Sequence, residues 1–140
     1  MIENVNPKHE KVFNVLSYLA RDVKDFGSSR QAAAIVYKND IIGFGINQRK
    51  SHPFQAKYGK NRFSIYLHAE ISAIRNSLKL FDIDDLKKSS LYVCRVKYSS
   101  EWKKELIYAN SCPCEGCMRA ICDFGIKNVY YTIEYGYEKL

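Results

Sequence analysis

The chain has 140 residues, of which 46% are hydrophobic, and carries a formal net charge of +7. That length suits one domain over residues 1–140 around one core, and the longest apolar run, Ala32 to Tyr37, is far too short to span a membrane. The opening Met1-Ile2-Glu3-Asn4-Val5-Asn6-Pro7 lacks the apolar stretch of a signal peptide, so a cytoplasmic protein with no membrane partner is expected.

His9 to Lys24 places Val12, Phe13, Leu16, Leu19, Ala20 and Val23 at helical spacing, opened by Pro7 and closed at Gly27. Ala32 to Tyr37 and Ile41 to Ile46, separated by Lys38-Asn39-Asp40, read as a hairpin. Gln48 to Ser64 is a long connection in which Arg49, Lys50, His52, Lys57, Lys60 and Arg62 alternate with Phe54, Tyr58 and Phe63. Cations beside rings suit a phosphate and a stacked base, and equally a solvated loop pinned by its aromatics. Tyr66 to Leu80 reads as the second helix, with His68 and Glu70 in its first turn, and Leu91 to Val96 as the third strand. Lys97 to Ser111, with Tyr98, Trp102, Lys103, Lys104 and Tyr108, repeats the basic and aromatic character of the first connection. Pro113 precedes a third helix, Cys114 to Phe124, stopped by Gly125, and Val129 to Ile133 makes a fourth strand. Alternation of strand and helix after the hairpin argues for parallel crossover pairing in a layered α/β sheet with helices on both faces.

Two short segments carry the chemistry: His68-Ala69-Glu70, and Pro113-Cys114-Glu115-Gly116-Cys117. Zinc accepts imidazole nitrogen and thiolate sulfur, and three protein ligands leave a fourth position open for water. With His68, Cys114 and Cys117 as ligands, Zn²⁺ lowers the pKa of bound water to about 7. Glu70, two residues from the ligand histidine, is placed to carry a proton from that water to a leaving group. Both segments fall at expected helix starts, where free N–H groups favour thiolate and hydroxide. A redox cysteine pair, or a closed structural zinc site completed by Cys112, are the other readings of these residues. Cys94 and Cys122 are expected in the core.

H-x-E followed by P-C-x-x-C is the signature of zinc deaminases acting on nucleobases. The chain resembles the cytidine and deoxycytidylate deaminase superfamily, deoxycytidylate deaminase-like proteins above all. Gly43-Phe44-Gly45-Ile46-Asn47 resembles the G-x-G-x-N strand end of that family, His68 to Ile74 its HAE-x-x-A-I helix, and Ile126 to Tyr131 the strand after its cysteine helix. Where the family usually has Asn in HAE-x-N-A-I, this chain has Ser72. The resemblance implies a three-layer α/β/α fold with a mixed sheet of four or five strands, the fifth supplied by Tyr135 to Leu140 if present. It further implies zinc as cofactor, Glu70 as the proton carrier, and substrate contacts from Asn47 and Ala69; Lys50 and His52, from the basic connection, are candidates for a phosphate. A homo-oligomer is implied in the same way.

Hydrolysis of a cytosine nucleotide, deoxycytidylate to deoxyuridylate with ammonia release, is the leading expectation. The basic, aromatic connections also suit single-stranded nucleic acid or tRNA, hence a polynucleotide-editing deaminase; an inactive, zinc-stabilised nucleic-acid-binding protein is a third possibility, which an intact Glu70 disfavours.

Overall fold

Side chains along the central strands point alternately to the two faces of the sheet, and this alternation builds two cores on one sheet. A computed structural model describes residues 6–23, 30–48, 52–58, 66–99 and 105–140. The elements are α1 (Pro7–Arg21), β1 (Arg30–Tyr37), β2 (Asp40–Ile46), α2 (Pro53–Lys57), α3 (Ala69–Ser77), α4 (Ile83–Leu86), β3 (Ser90–Tyr98), β4 (Leu106–Ala109), α5 (Glu115–Asp123), β5 (Asn128–Ile133) and β6 (Gly136–Lys139). On β1, Ala33 and Ile35 face one core while Ala32 and Ala34 face the other; on β3, Leu91 and Val93 oppose Tyr92, Cys94 and Val96. Successive side chains of a strand point to opposite faces, so a strand covered on both sides must be apolar throughout.

The sheet order is β2-β1-β3-β5-β6, with β4 paired to the far half of β3. β3 and β5 run parallel, while the pairs β1–β2, β1–β3, β3–β4 and β5–β6 are antiparallel. Phe13, Leu16 and Ala20 of α1 fill one core, and α3 and α5 fill the other with Ile71, Ala73, Ile74, Cys117, Ala120 and Ile121. The three-layer α/β/α expectation holds, with parallel pairing confined to β3–β5. The sheet gains a strand over the expected four or five, because β4 forms inside the segment read as the connection Lys97 to Ser111. The short last strand exists as β6, four residues long.

Local chemistry explains the element ends. Asn6 caps α1 by accepting from the Lys8 N–H, and Pro7 in the first turn lacks an N–H to satisfy. Lys38 and Asn39 take φ of 50° and 70°, the left-handed pair of a two-residue hairpin turn, so β2 begins at Asp40. Cys94 is buried as expected, whereas Cys122 is exposed, on the outer side of α5. Among the described residues, no helix is long and apolar enough to cross a membrane.

Candidate active site

The two motifs meet because their helices start at the same end of one core. His68 is the N-cap of α3 rather than a member of its first turn, and Cys114 is the N-cap of α5. Pro113 keeps the residue before it out of the helical region, and α5 then opens with the Cys114 sulfur accepting from the Cys117 N–H at 3.5 Å. The imidazole makes no cap bond; its Nδ1 lies 3.7 Å from Cys114 Sγ and 3.4 Å from Cys117 Sγ. All three potential ligand atoms lie within 4.8 Å of one another and could hold a metal ion. A tetrahedral zinc with Zn–N near 2.0 Å and Zn–S near 2.3 Å separates nitrogen from sulfur by about 3.6 Å, which is the spacing found.

Electrostatics fit the same ion. A hydrogen bond from the Cys117 thiol, and then the neighbouring imidazole, draw the Cys114 thiol down to about 3. The same contact and burial push the Cys117 thiol far above its ordinary range. His68 is raised, first by its contact with Cys114, against the effect of its burial. Two sulfurs side by side thus share one proton unless a cation replaces it, and a dication releases both as thiolates.

Glu70, in the first turn of α3, is 3% exposed, and its Oε1 has no hydrogen-bond partner. Burial pushes its carboxyl up, while contacts with its own backbone, His68 and Cys117 draw it back in part. Ala69, fully buried, begins the helix between His68 and Glu70. Asn47 follows β2, where its Oδ1 accepts from the Gln31 N–H at 3.0 Å, and Gln48 N–H donates to Leu67 O at 2.9 Å. That second bond brings the G-x-G-x-N strand end alongside the residue before His68. Close packing helps: a Cβ on Gly45 would lie 2.6 Å from Ser72 Oγ and 2.7 Å from Ala73 N, so glycine lets β2 rest directly on α3.

Among the described residues, His52 is not part of the metal-capable group. His52 caps α2, its Nδ1 accepting from the Phe54 N–H at 3.0 Å. Lys50 lies outside the described residues, as do Arg49, Lys60, Arg62, Phe63, Trp102, Lys103 and Lys104. Cys112 is exposed and is not part of the metal-capable group found among the described residues. Three supporting residues escaped the sequence analysis. Gln55, fully buried in α2, accepts the His68 N–H through Oε1 at 2.9 Å. Ser111 Oγ donates to Val93 O at 2.9 Å and accepts from Thr132 N–H at 2.8 Å, while Thr132 Oγ1 donates to Ala109 O, so the chain entering Cys112-Pro113-Cys114 is stitched to β3 and β5. A Ser just before C-P-C was the one available hint; nothing marks Gln55 in sequence.

Residues 6–133 match the cytidine and deoxycytidylate deaminase zinc-binding region. The chain belongs to that family. Zinc is therefore the cofactor of this deaminase, and its chemistry is the hydrolytic deamination of a nucleotide or nucleobase. Solved structures of the same fold include dCMP deaminase from the cyanophage S-TIM5 in apo form, 21% identical with a TM-score of 0.59 over 92% of this chain and 86% of that one. The same cyanophage enzyme in complex with dCMP and dUMP is 21% identical, with a TM-score of 0.58 over 91% of this chain and 83% of that one. Guanine deaminase from Bacillus subtilis is 25% identical, with a TM-score of 0.53 over 92% of this chain and 65% of that one. No protein of curated function matches the deaminase in sequence.

Proposed function

We propose that this deaminase converts a cytosine nucleotide, deoxycytidylate, to deoxyuridylate with release of ammonia, in one domain over residues 1–140. The observation that carries the deaminase chemistry is a buried, unpartnered Glu70 carboxyl oxygen beside a His68, Cys114 and Cys117 cluster with zinc spacing. Support for the nucleotide comes from the fold shared with an enzyme solved with dCMP and dUMP, and from the resemblance of the HAE segment. His68 Nδ1, Cys114 Sγ and Cys117 Sγ would hold the ion, which would supply a nucleophile by lowering the pKa of water to about 7. Glu70 receives a proton at Oε1 and delivers it to the ring nitrogen beside the amino-bearing carbon. It then takes the second proton from the hydroxyl added to that carbon and gives it to the departing amine, making ammonia, so water's oxygen stays on the base as a carbonyl. A carboxyl pushed up by burial suits this shuttle better than an ordinary one, because it holds a proton nearer neutral pH. Asn47 and Ala69 are the candidates for contacts to sugar and base that the family resemblance supplies, and Lys50 and His52 the candidates for the phosphate.

Ammonia release from zinc-loaded protein with dCMP, CMP, deoxycytidine, guanine, adenosine, single-stranded DNA and tRNA tests the assignment. Turnover of dCMP that disappears in Glu70→Ala is the expected result. Turnover confined to polymer would move the protein to editing, and activity surviving in Glu70→Ala would remove the mechanism.

A further inference from the structure

Among the described residues, Glu70 Oε1 is one of two buried polar atoms at the site that lack a hydrogen-bond partner; the second is Gln55 Nε2. The proton shuttle accounts for Glu70 and leaves Gln55 unexplained. Its Oε1 accepts the His68 N–H, and only the amide oxygen can do so, which fixes the side chain against a flip. Nε2 therefore carries two protons, sits one amide width from the contact with His68, and belongs to a residue with no solvent exposure. α2 has little freedom to turn that donor elsewhere. Tyr58 donates to Asp123 Oδ2 at 2.9 Å, and Phe54 packs edge-on against Phe124, so this short helix is clamped between the start of α3 and the end of α5. Buried donors are almost always paired in native proteins, and an unpaired one beside an active site marks where a ligand brings the acceptor.

We propose that Gln55 is a specificity-determining residue, holding the first turn of α3 through Oε1 while Nε2 donates to a carbonyl oxygen of the substrate base. The inference rests on the cytosine reading of the site. In cytosine, the ring nitrogen beside the reacting carbon is flanked on its other side by C2=O. In guanine the unprotonated nitrogen beside the reacting carbon is flanked by the ring-fusion carbon C4, and in adenine it is flanked by C2–H, neither of which offers an acceptor. A donor at that place selects cytosine over both purines, and a site built around such a bond rejects an analogue that lacks the acceptor.

Gln55→Glu separates the two halves of the side chain, since it keeps an oxygen for the His68 N–H and replaces only the donor. Steady-state kinetics of wild type and Q55E with dCMP and its 2-thio analogue, whose sulfur is a poor acceptor, form a closed cycle. The expected result is a loss in kcat/KM of about 10- to 100-fold for either change alone and no further loss for both together, with zinc content unchanged. Losses that multiply, or an unchanged kcat/KM in zinc-replete Q55E, would overturn the proposal. Should Q55E not fold, wild type alone decides by calorimetric binding: tighter binding of dCMP than of the 2-thio analogue supports the donor, and equal binding refutes it. Turnover of guanine or of an adenine substrate without dCMP would overturn the cytosine reading and Gln55 with it, whereas turnover of dCMP with losses that multiply would overturn Gln55 alone.

Discussion

Glu70 and the three ligand candidates occupy a few ångströms of the same site, yet their losses should look different. Glu70→Gln keeps shape and removes a carboxyl that burial already disfavours as an ion, so folding and zinc content should hold while turnover falls by about 10² to 10⁴. Kinetics beside metal analysis of the same sample checks this. Cys117→Ser should instead lose zinc, and activity with it. The metal-free cluster adds a prediction about protons. Cys114 is already a thiolate at neutral pH, Cys117 keeps its proton, and His68 is raised toward the protonated form. Because zinc needs both thiolates and a neutral imidazole, titrating it into metal-free protein at pH 7 should release about one to two protons per ion. An indicator dye in weak buffer reads that release; the Cys117→Ser variant should release fewer.

At the scale of elements, the contact between β2 and α3 does most to place the site. Gly43 and Gly45 both abut α3, and a Cβ on Gly43 would lie 2.6 Å from Ser77 N. Backbone cannot yield as a flexible side chain can, so Gly45→Ala should cost about 1–3 kcal/mol of stability through overpacking. The same push displaces the helix carrying Glu70, and kcat should drop further than the stability loss accounts for; denaturant unfolding and kinetics on one variant test both. G-x-G was legible in sequence as a family pattern, and this contact supplies its physical meaning. The long elements were legible because burial repeats at helical spacing on α1 and runs without a break through the middle of β1 and β3. α2 and β4 were not. Each has five residues or fewer, lies within polar sequence, and is held by partners far along the chain: Gln55 on His68 and Tyr58 on Asp123 for α2, and pairing with β3 for β4. His68 and Glu70 could be joined to Cys114 and Cys117 only through a known signature, since spacing alone does not say that two helices start at one place.

Across the whole molecule, the first helix and the last strand close on each other, on the face of the sheet away from the motif helices. Tyr137 of β6 accepts the Asn6 N–H through its hydroxyl and packs against Phe13, while His9 lies between Tyr130 and Tyr137 with its Nδ1 in hydrogen-bond contact with the Tyr92 hydroxyl. Burial among these rings, and secondarily the charge of Lys139, lower the His9 pKa from 6.5. Burial likewise pushes the Tyr92 hydroxyl up to about 12, so it stays protonated and the histidine is the group that titrates. The unfolded chain takes up a proton at His9 more readily than the folded one does. The stability contributed by neutral His9 is then complete above 6.5 and is lost as pH falls from there through the lower folded value. His9→Gln removes this term, so its denaturant-derived stability should fall less steeply than wild type between pH 7 and 5, with zinc kept saturating in both. His68 also meets acid in that range, but it does so equally in the two proteins, and the difference between the curves isolates His9. Parallel curves would mean that the ring cluster joins the two ends of the chain without sensing protons.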